Sequence, residues 1–280
     1  MPQLYILDHG YLKVDSRFHY PLANLATRSE PSPTIDRIRI PTFSLVYEDD
    51  ANTVVVDTGG HPDGMDGYWP DWLRETVPWT GDDEHLFANR LEQVGLTPAD
   101  VDTVVQTHLH NDHAGNLRLF EGVDVPVYAH REELEWAFYA ANVVRDPQAR
   151  GAYVPADYDR EIDWRPLEGD RGEVVPEVEW IHLPGHAPGM TGLLFTAFDD
   201  PVFLVGDAAF REGNVFPDPV QPGVNWDHGQ WANVAVPRIR TLVDEHDPNV
   251  IYGHDPETFD RYDDYPDVRQ VGDTSFSEPR

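Results

Sequence analysis

The sequence predicts an α+β fold in which two β-sheets pack together and helices lie outside them. Candidate strands come in consecutive groups near both ends of the chain, and the helical patterns fall between these groups. Hydrophobic residues make up 40% of the chain, which is enough to build an extended core. No linker or internal repeat divides the 280 residues, so we expect one domain spanning residues 1–280.

Strands are predicted where short apolar runs rich in β-branched residues end at Gly, Pro, Asp or Asn. In chain order these runs cover residues 4–7, 38–47, 53–57, 101–106, 125–128, 178–183, 191–196, 202–205 and 250–252. Apolar residues at helical spacing predict helices over residues 84–94, 131–144 and 229–245. Gly95 ends the first of these helices.

The remaining segments are predicted to be irregular. Residues 15–37 hold several Pro, Ser and Arg, residues 146–172 are mostly loop, and the acidic tail after Tyr262 is expected to be partly frayed. Residues 61–83 are rich in Gly, Pro and Asp but also contain three Trp. We therefore expect an ordered loop there, and long ordered loops are usually functional.

Charge is the most unusual property of the composition. Asp and Glu number 51 against 20 Lys and Arg, the formal net charge is −31, and Lys13 is the single lysine. Such a surface repels nucleic acids and anionic membranes, so neither is expected as a partner. Halophilic proteins use acidic surfaces of this kind, because molar salt shortens the Debye length to about 3 Å and screens the repulsion. We expect a halophilic source, with an ordinary acidic mesophilic enzyme as the alternative.

The sequence contains no Cys, which excludes disulfides, a thiolate nucleophile and thiolate metal ligands. No apolar run approaches the roughly 20 residues of a membrane span. The first residues show neither a basic segment followed by an apolar one nor a twin arginine. These features predict a cytoplasmic protein.

The segment from His108 to His113 carries the clearest chemical signal. It reads HLHNDH and directly follows a predicted strand, so three His and Asp112 fall within six residues. Imidazole and carboxylate groups suit zinc and similar metals. Because alternate residues of an extended backbone point the same way, His108 and His110 can bind one ion, while Asp112 and His113 project toward a second point.

Six residues are too few to complete two metal sites, so further donors must come from distant positions. Three candidates lie at strand ends: His186 in LPGHAPG, Asp207 in VFLVGD and His254 in IYGHD. In the latter two a Gly precedes the donor and allows close backbone approach. One strand-terminal His or Asp alone is more often simply solvated, but three of them beside the first motif predict a metal centre.

These motifs together resemble the metallo-β-lactamase superfamily. HLHNDH, LPGHAPG, GD and GHD follow in that order, with 73, 21 and 47 residues separating His113, His186, Asp207 and His254. Further segments, among them IRIPTFSLVYE, VVVDTGG and REELEWA, resemble its N-acyl-homoserine lactonase branch, and the resemblance spans roughly residues 4–262. It implies an αββα sandwich with two divalent metal ions, expected to be zinc, at the sheet edges.

The resemblance also implies a role for each donor. His108, His110 and His186 would hold the first metal, Asp112, His113 and His254 the second, and Asp207 would bridge both. Asp57, in the VDTG turn, would hold a ligand imidazole from outside, although a turn-capping Asp is an equal alternative.

Two positions depart from the lactonase pattern, and both are expected at the substrate-binding side. Lactonases of this branch carry a Tyr three residues after the bridging Asp, with its hydroxyl toward the substrate, whereas this chain has Phe210. Asn111 stands where a bulky apolar residue would favour contact with an acyl chain. The hydrolytic centre is intact, while the identity of the lactone is left open.

The expected activity is hydrolysis of a small-molecule lactone or related ester, as in quorum quenching. Two ions roughly 3.5–4 Å apart lower the pKa of a shared water toward 7, and the resulting hydroxide would attack the carbonyl. Asp112 would then relay the proton. Residues 61–83 and the aromatic helix 131–144 would supply either an apolar wall for an acyl group or core and homodimer contacts.

Several alternatives remain at this point. A thioesterase of the glyoxalase II type has a similar motif set. A phosphodiesterase or a tRNA-processing nuclease is opposed by the net charge of −31, and a zinc β-lactamase often includes a Cys ligand. A metal-stabilised binding protein without catalysis is the non-enzymatic alternative, and the full set of seven donors argues against it.

The other histidines are expected to be structural. His228 and His246 fall at helix ends, where a cation near the C-terminus favours the dipole. His130 and His182 are expected to pack at strand ends, and His61, after the DTGG turn, could approach the metal centre. His9, His19 and His85 show no interpretable spacing.

The acidic composition generates a prediction about salt. We expect the protein to need roughly molar salt to remain folded, because screening removes the self-repulsion of its surface. Thermal unfolding across a potassium chloride series measures this. A melting temperature that does not rise between low and molar salt contradicts the halophilic interpretation.

Overall fold

Two β-sheets lie face to face, and helices cover their outer surfaces. The structure is a computed structural model, and it describes residues 1–21, 24–224, 226–259, 263–264 and 269–271. The predicted α+β class and αββα order of layers are confirmed. Among the described residues, no helix is both long enough and apolar enough to cross a membrane.

The strands form two sheets of mixed direction. In chain order they are β1 (Gln3–Asp15), β2 (Arg37–Glu48), β3 (Thr53–Val56), β4 (Trp79–Thr80), β5 (Thr103–Val105), β6 (Pro126–His130), β7 (Asp163–Leu167), β8 (Arg171–Val175), β9 (Val178–His182), β10 (Thr191–Phe195), β11 (Val202–Gly206), β12 (Asn249–Tyr252), β13 (Asp263–Asp264) and β14 (Arg269–Val271). The first sheet has the order β13-β14-β1-β2-β3-β5-β6-β7, with β4 paired to β1, and the second has the order β12-β11-β10-β9-β8. β3, β5, β6 and β7 run parallel to one another, as do β11 and β12.

The helices are short, apart from one on the outside of each sheet. They are α1 (Asp71–Thr76), α2 (Phe87–Gln93), α3 (Arg131–Val143), α4 (Pro155–Tyr158), α5 (His228–Gln230), α6 (Val236–His246) and α7 (Pro256–Phe259). A π-helical turn over Trp231–Ala235 joins α5 to α6, so the predicted helix over residues 229–245 is present with a change of winding. The predicted helix over residues 84–94 is shorter, because Leu86 has extended backbone angles and separates α2 from the turn before it.

The core between the sheets follows from the alternation of side chains along each strand. In β3, Val54 and Val56 face the second sheet and pack in one cluster with Leu193 and Leu204, whereas Val55 faces the opposite way. Successive residues of a strand point to opposite faces, so a strand of consecutive Val residues serves both layers. Burying one such side chain contributes roughly 1.5–3 kcal/mol relative to leaving it exposed.

Each outer face is covered by helices of matching apolar pattern. On the first sheet, Val55 packs with Phe87 of α2 and Ala137 of α3. On the second sheet, Phe203 packs with Ile239 of α6. The layer order of the sandwich is therefore a direct result of where the apolar stripes of strands and helices meet.

Strand β1 is longer than the sequence predicts. It continues from the predicted residues 4–7 to Asp15, and its pairing with β2 shifts register between Asp8 and Tyr11. Gly10 lies inside this irregularity with a φ of 78°, a left-handed conformation that glycine adopts without steric cost. The strand survives the Asp-His-Gly segment because of this bulge.

The prediction that residues 146–172 are mostly loop is wrong in part, because α4, β7 and the start of β8 lie there. β7 and β8 each sit at the edge of a sheet, and most of their side chains are at least partly exposed. Such edge strands carry charged residues instead of an apolar run, so the sequence signal is weak.

Residues 61–83 contain α1 and β4, and Trp69 is buried there. Most of the predicted frayed tail after Tyr262 lies outside the described residues, although β13 and β14 pair there.

Three buried histidines make the stability of this fold depend on pH. Burial is the main cause that lowers the pKa of His9, His19 and His182 from 6.5 to about 4. In the unfolded chain their pKa is the ordinary value near 6.5. As the pH falls from about 6.5 toward 4, the unfolded state binds protons that the folded state does not, and the free energy of unfolding decreases.

We predict that His9→Gln flattens this pH dependence. The substitution removes one titrating ring and can keep both hydrogen bonds, to Ser44 and to the His85 carbonyl. Urea unfolding of the metal-free protein between pH 5 and 6.5 should show a slope smaller by up to about 1.4 kcal/mol per pH unit. The exposed His228→Gln is the control. An unchanged slope in His9→Gln contradicts the assignment of His9 as a buried neutral ring.

Candidate metal centre

Strands from both sheets end at one edge of the sandwich and bring donor side chains together there. The HLHNDH segment follows β5, and Asp57 follows its parallel neighbour β3. In the second sheet, Asp207 directly follows β11 and His254 follows the parallel neighbour β12. The carboxyl ends of parallel strands share an edge, which is a common place for ligand sites.

The seven predicted donors are buried and form compact groups. The groups are His108 with His110 and His186, Asp112 with His113 and His254, and His108 with His113 and Asp207. Within each group all ligand atoms lie within 4.8 Å of one another. The structure therefore brings together all seven residues that the sequence analysis selected.

Asp207 lies between the first two groups. Its Oδ2 is 3.3 Å from Nε2 of His186 and 3.2 Å from Nε2 of His254. Its Oδ1 is 3.7 Å from Nε2 of His113. One carboxylate thus faces donors of both groups, as a bridging ligand must.

Outer hydrogen bonds decide which nitrogen of three imidazoles faces the centre. The contacts are His113 Nδ1 to Asp57 Oδ2 at 2.8 Å, His186 Nδ1 to the Val224 carbonyl at 3.0 Å and His254 Nδ1 to the Pro41 carbonyl at 2.8 Å. The oxygen partners accept, so Nδ1 carries the proton and Nε2 keeps the lone pair that a metal requires. His110 is turned the other way, with Nδ1 at 3.0 Å from Nε2 of His186.

The donor set fits divalent metal ions. Nε2 of His108, Nε2 of His113 and Oδ1 of Asp207 are buried and have no hydrogen-bond partner within the described part of the chain. A buried polar atom without a partner costs about 1–3 kcal/mol. Imidazole nitrogens and carboxylate oxygens converging on one point are the donors that a borderline divalent ion satisfies.

The charges at the centre also favour cations. Burial and neighbouring imidazoles hold the pKa of His108 and of His110 well below 6.5. Burial also lowers the pKa of His113, but three surrounding carboxylates outweigh it and raise that pKa to about 10. Burial opposes the ionisation of Asp207, yet the adjacent histidines hold its pKa well below the usual range. The centre thus stabilises ionised carboxylates and positive charge beside them.

Asp57 binds the HLHNDH segment and the residue that precedes it. Its Oδ1 accepts from the Thr107 backbone N–H at 2.8 Å, and its Oδ2 accepts from the Thr107 hydroxyl at 2.7 Å and contacts Nδ1 of His113. Asp57 has a φ of 61°, which is unusual for a residue with a side chain. The geometry matches the predicted contact with a ligand imidazole and exceeds what a turn cap alone would need.

The two predicted substrate-side residues lie beside the donors and are both buried. The Phe210 ring centroid is 5.0 Å from that of His254 and 5.6 Å from that of His186. Asn111 donates its backbone N–H to the Ala152 carbonyl at 2.9 Å, and its Nδ2 has no partner among the described residues. His19, which showed no interpretable spacing, packs on Phe210 at 6.0 Å between ring centroids.

Sequence reasoning missed two residues that support the centre. Glu133 of α3 and Tyr153 are buried and hydrogen-bonded to each other at 2.9 Å. Glu133 also accepts from the Leu109 backbone N–H at 2.9 Å. The REELEWA segment contains three Glu that look alike in sequence, so no local signal marks the buried one.

The remaining histidines lie outside the seven-residue centre. His130 and His182 lie at the ends of β6 and β9, stack with ring centroids 3.8 Å apart, and each contacts a backbone carbonyl through Nε2, as packing residues would. Together with Glu132 they also form a further group of possible metal donors. His61 stacks on Tyr68 at 3.5 Å and, within the described residues, belongs to no group of metal donors. The approach of His61 to the metal centre is therefore not observed.

The aromatic residues divide between the core and the surface. Trp69 is buried, and Trp72 and Trp79 pack against its cluster, so the aromatics of residues 61–83 serve the core. Trp136 of α3 instead contacts Trp226, which is half exposed, with ring centroids 6.1 Å apart and planes tilted by 56°. An aromatic surface therefore remains available on α3.

The sequence profile of the metallo-beta-lactamase superfamily matches residues 37–254, which include all seven donors. The chain belongs to this superfamily. The predicted superfamily and the prediction of a hydrolase are confirmed by this match and by the relatives below.

One curated relative in the superfamily is N-acyl homoserine lactonase AiiB of Agrobacterium fabrum strain C58. It is 32% identical over 269 residues, which cover 92% of this chain and 95% of AiiB. A solved N-acyl homoserine lactone hydrolase, with the product N-hexanoyl-L-homoserine at its catalytic metal center, matches with a TM-score of 0.80 at 23% identity, over 95% of this chain and 98% of that one. AidC, a dizinc quorum-quenching lactonase, matches with a TM-score of 0.64 at 15% identity, over 98% of this chain and 95% of its own.

We predict that Asp207→Asn retains the fold but loses one metal or both, because an amide is a poor bridging ligand. His186→Ala should weaken the first donor group, and His254→Ala the second. Elemental analysis paired with a hydrolysis assay measures these effects. The control is Asp200→Asn, which makes the same charge change at an exposed position. Two metals per chain with undiminished hydrolysis in Asp207→Asn would remove this residue from the site.

Proposed function

We propose that this superfamily member hydrolyses the lactone ring of N-acyl homoserine lactones or a closely related ester. The observation that carries the proposal is the pair of buried donor groups that share Asp207. The similarity to AiiB over 92% of the chain supports a lactone as the substrate class. We propose zinc as the metal, because five imidazoles and two carboxylates without any thiolate suit a borderline divalent ion.

In the proposed reaction, two bound divalent ions would lower the pKa of a water toward 7 and polarise the substrate carbonyl. The protein residues hold the geometry and move the proton. Oδ2 of Asp112 lies 3.6 Å from Nε2 of His113 and 3.8 Å from Nε2 of His254, at the second donor group. We assign Asp112 the proton relay: its Oδ2 would accept the proton released on attack and deliver it to the leaving alkoxide oxygen.

The acyl chain of the substrate would contact the aromatic surface formed by Trp136, Tyr139 and Trp226. The Trp226 backbone N–H donates to the His186 carbonyl at 3.1 Å, so this surface begins beside the first donor group. Tyr139 and Trp226 are each about half exposed. The Tyr139 ring stacks on Trp136, and the Trp226 ring contacts Trp136 at a tilt of 56°. Aromatic side chains offer a large apolar area to a ligand at low entropic cost.

Phe210 favours a second candidate, a thioesterase of the glyoxalase II type. A phenyl ring beside His186 and His254 contributes no hydroxyl to a lactone carbonyl. Hydrolysis of acyl homoserine lactones, thioesters and a chromogenic ester by metal-loaded protein in molar salt tests both candidates. Lactone opening supports the proposal. Cleavage of thioesters alone replaces it with the second candidate, and a protein that binds metal but hydrolyses nothing is a binding protein.

We predict that Phe210→Tyr raises kcat/KM on N-acyl homoserine lactones with metal content unchanged. The substitution adds one donor next to His186 and His254, and donors that act on the transition state commonly change the rate by about 10²–10³-fold. Steady-state kinetics measure the effect.

Phe198→Tyr is the control for this prediction, because it adds a hydroxyl to a partly buried Phe in the turn between β10 and β11. A wild-type protein that already opens lactones fast, with no gain in Phe210→Tyr, shows that the absent hydroxyl does not matter.

A further inference from the structure

Two buried carboxylates outside the donor set contact the segments that carry the donors. Asp57 bonds to Thr107 and His113, as described above. Glu133 is the second, and it is completely buried on α3. Its Oε1 accepts from the Leu109 backbone N–H at 2.9 Å and from the Tyr153 hydroxyl at 2.9 Å. Its Oε2 accepts from the Gly189 backbone N–H at 3.1 Å.

All three partners of Glu133 adjoin the first donor group. Leu109 lies between His108 and His110 in the chain. Gly189 belongs to the LPGHAPG turn and follows His186 by three residues. The Tyr153 ring packs edge-on against His110, with ring centroids 4.6 Å apart and planes at 79°. Glu133 therefore joins the two segments that must meet for this group to form.

The backbone of the LPGHAPG turn is shaped for close contact with Glu133. A Cβ added to Gly189 would lie 2.4 Å from the Glu133 Cβ and 2.4 Å from its backbone nitrogen. Such distances leave no room for any side chain at position 189. The turn thus packs directly against α3, and the Glu133 carboxylate holds its backbone in place through the Gly189 N–H.

The complete burial of Glu133 indicates that this position requires a carboxylate for its hydrogen bonds. Burial raises the pKa of its carboxyl group, and the bonds from Leu109, Gly189 and Tyr153 oppose that shift. Carboxylates are almost never fully buried unless they are bonded in this way. A site that needed only packing would be filled by an apolar side chain at lower cost.

We propose that Glu133 is the positioning residue of the first donor group, in the way that Asp57 serves His113 of the second. Glu133 sets the relative placement of His108, His110 and His186 and leaves Asp112 and His254 unaffected. This inference rests on the proposed function only in that both require metal at the centre. It assigns each donor group its own buried supporting carboxylate.

The two carboxylate oxygens of Glu133 have different partners, so substitutions can remove their bonds separately. In Glu133→Gln the side-chain oxygen can keep the bonds to Leu109 and Tyr153, but the new NH2 group faces the Gly189 N–H, and two donors repel. Tyr153→Phe removes one bond and keeps the ring on His110. Glu135→Gln, on the same helix but exposed, is the matched control.

The experiment titrates the metal-free protein with Zn²⁺ or Co²⁺ alone, without substrate. Calorimetry measures the binding of either ion, and the absorption bands of Co²⁺ report its coordination. Each variant is also made with His254→Ala, which leaves the first donor group, and with His186→Ala, which leaves the second. We expect Glu133→Gln to weaken metal binding to the first group by about 10–100-fold, as loss of outer partners of ligands typically does. Tyr153→Phe should weaken the same group by a smaller factor. The second group should keep its affinity.

Equal weakening of both groups, together with a lower melting temperature of the metal-free protein, would show a general structural role and overturn the proposal. An unchanged first group in both Glu133→Gln and Tyr153→Phe would also overturn it. If Glu133→Gln does not fold, Tyr153→Phe decides the question in the same titration. A wild type that binds two ions with this dependence on Glu133 but opens no lactone supports the inference and rejects the proposed substrate.

Discussion

A neutral imidazole offers the lone pair of one nitrogen to a metal when its other nitrogen carries the proton. The metal centre at the edge of this sandwich depends on that condition. The protein meets it with oxygen acceptors placed behind three of the rings. The Pro41 carbonyl comes from β2, the Val224 carbonyl precedes α5, and Asp57 follows β3. These acceptors are far apart in sequence, so the orientation of each ring requires the complete fold. Local sequence places a histidine near the edge, and tertiary structure determines which nitrogen it presents.

The acidic character of the chain has a different meaning at the surface and inside. The chain has 51 Asp and Glu and a net charge of −31, and most of those whose burial the structure describes are at least partly exposed. Asp57, Glu133 and Asp207 are buried instead, and each is bonded to or faced by several N–H, O–H or imidazole groups. Burial without such partners would be costly, so each inner carboxylate marks a point where backbone segments are held in place. The same residue type sets the charge of the surface and, inside, holds backbone segments in place.

The parts of the fold that the sequence predicts are those with local or periodic signals. HLHNDH is a local signal, and the strand-end positions of His186, Asp207 and His254 follow from apolar runs that stop at glycine. Edge strands β7 and β8 were not predictable, because their pairing with β6 and β9 is non-local and their exposed faces carry charge. Glu133 could not be distinguished from Glu132 and Glu135 for a related reason. Depth in the structure separates these residues, and a single sequence does not record depth.

The two donor groups share one topological property that follows from the layer order. Each takes residues from both halves of the sandwich: His108 and His110 stand with His186, and Asp112 and His113 stand with His254. An ion in either group would consequently link the two halves of the sandwich. Loss of metal would remove this link and leave the two halves held by the apolar layer between the sheets.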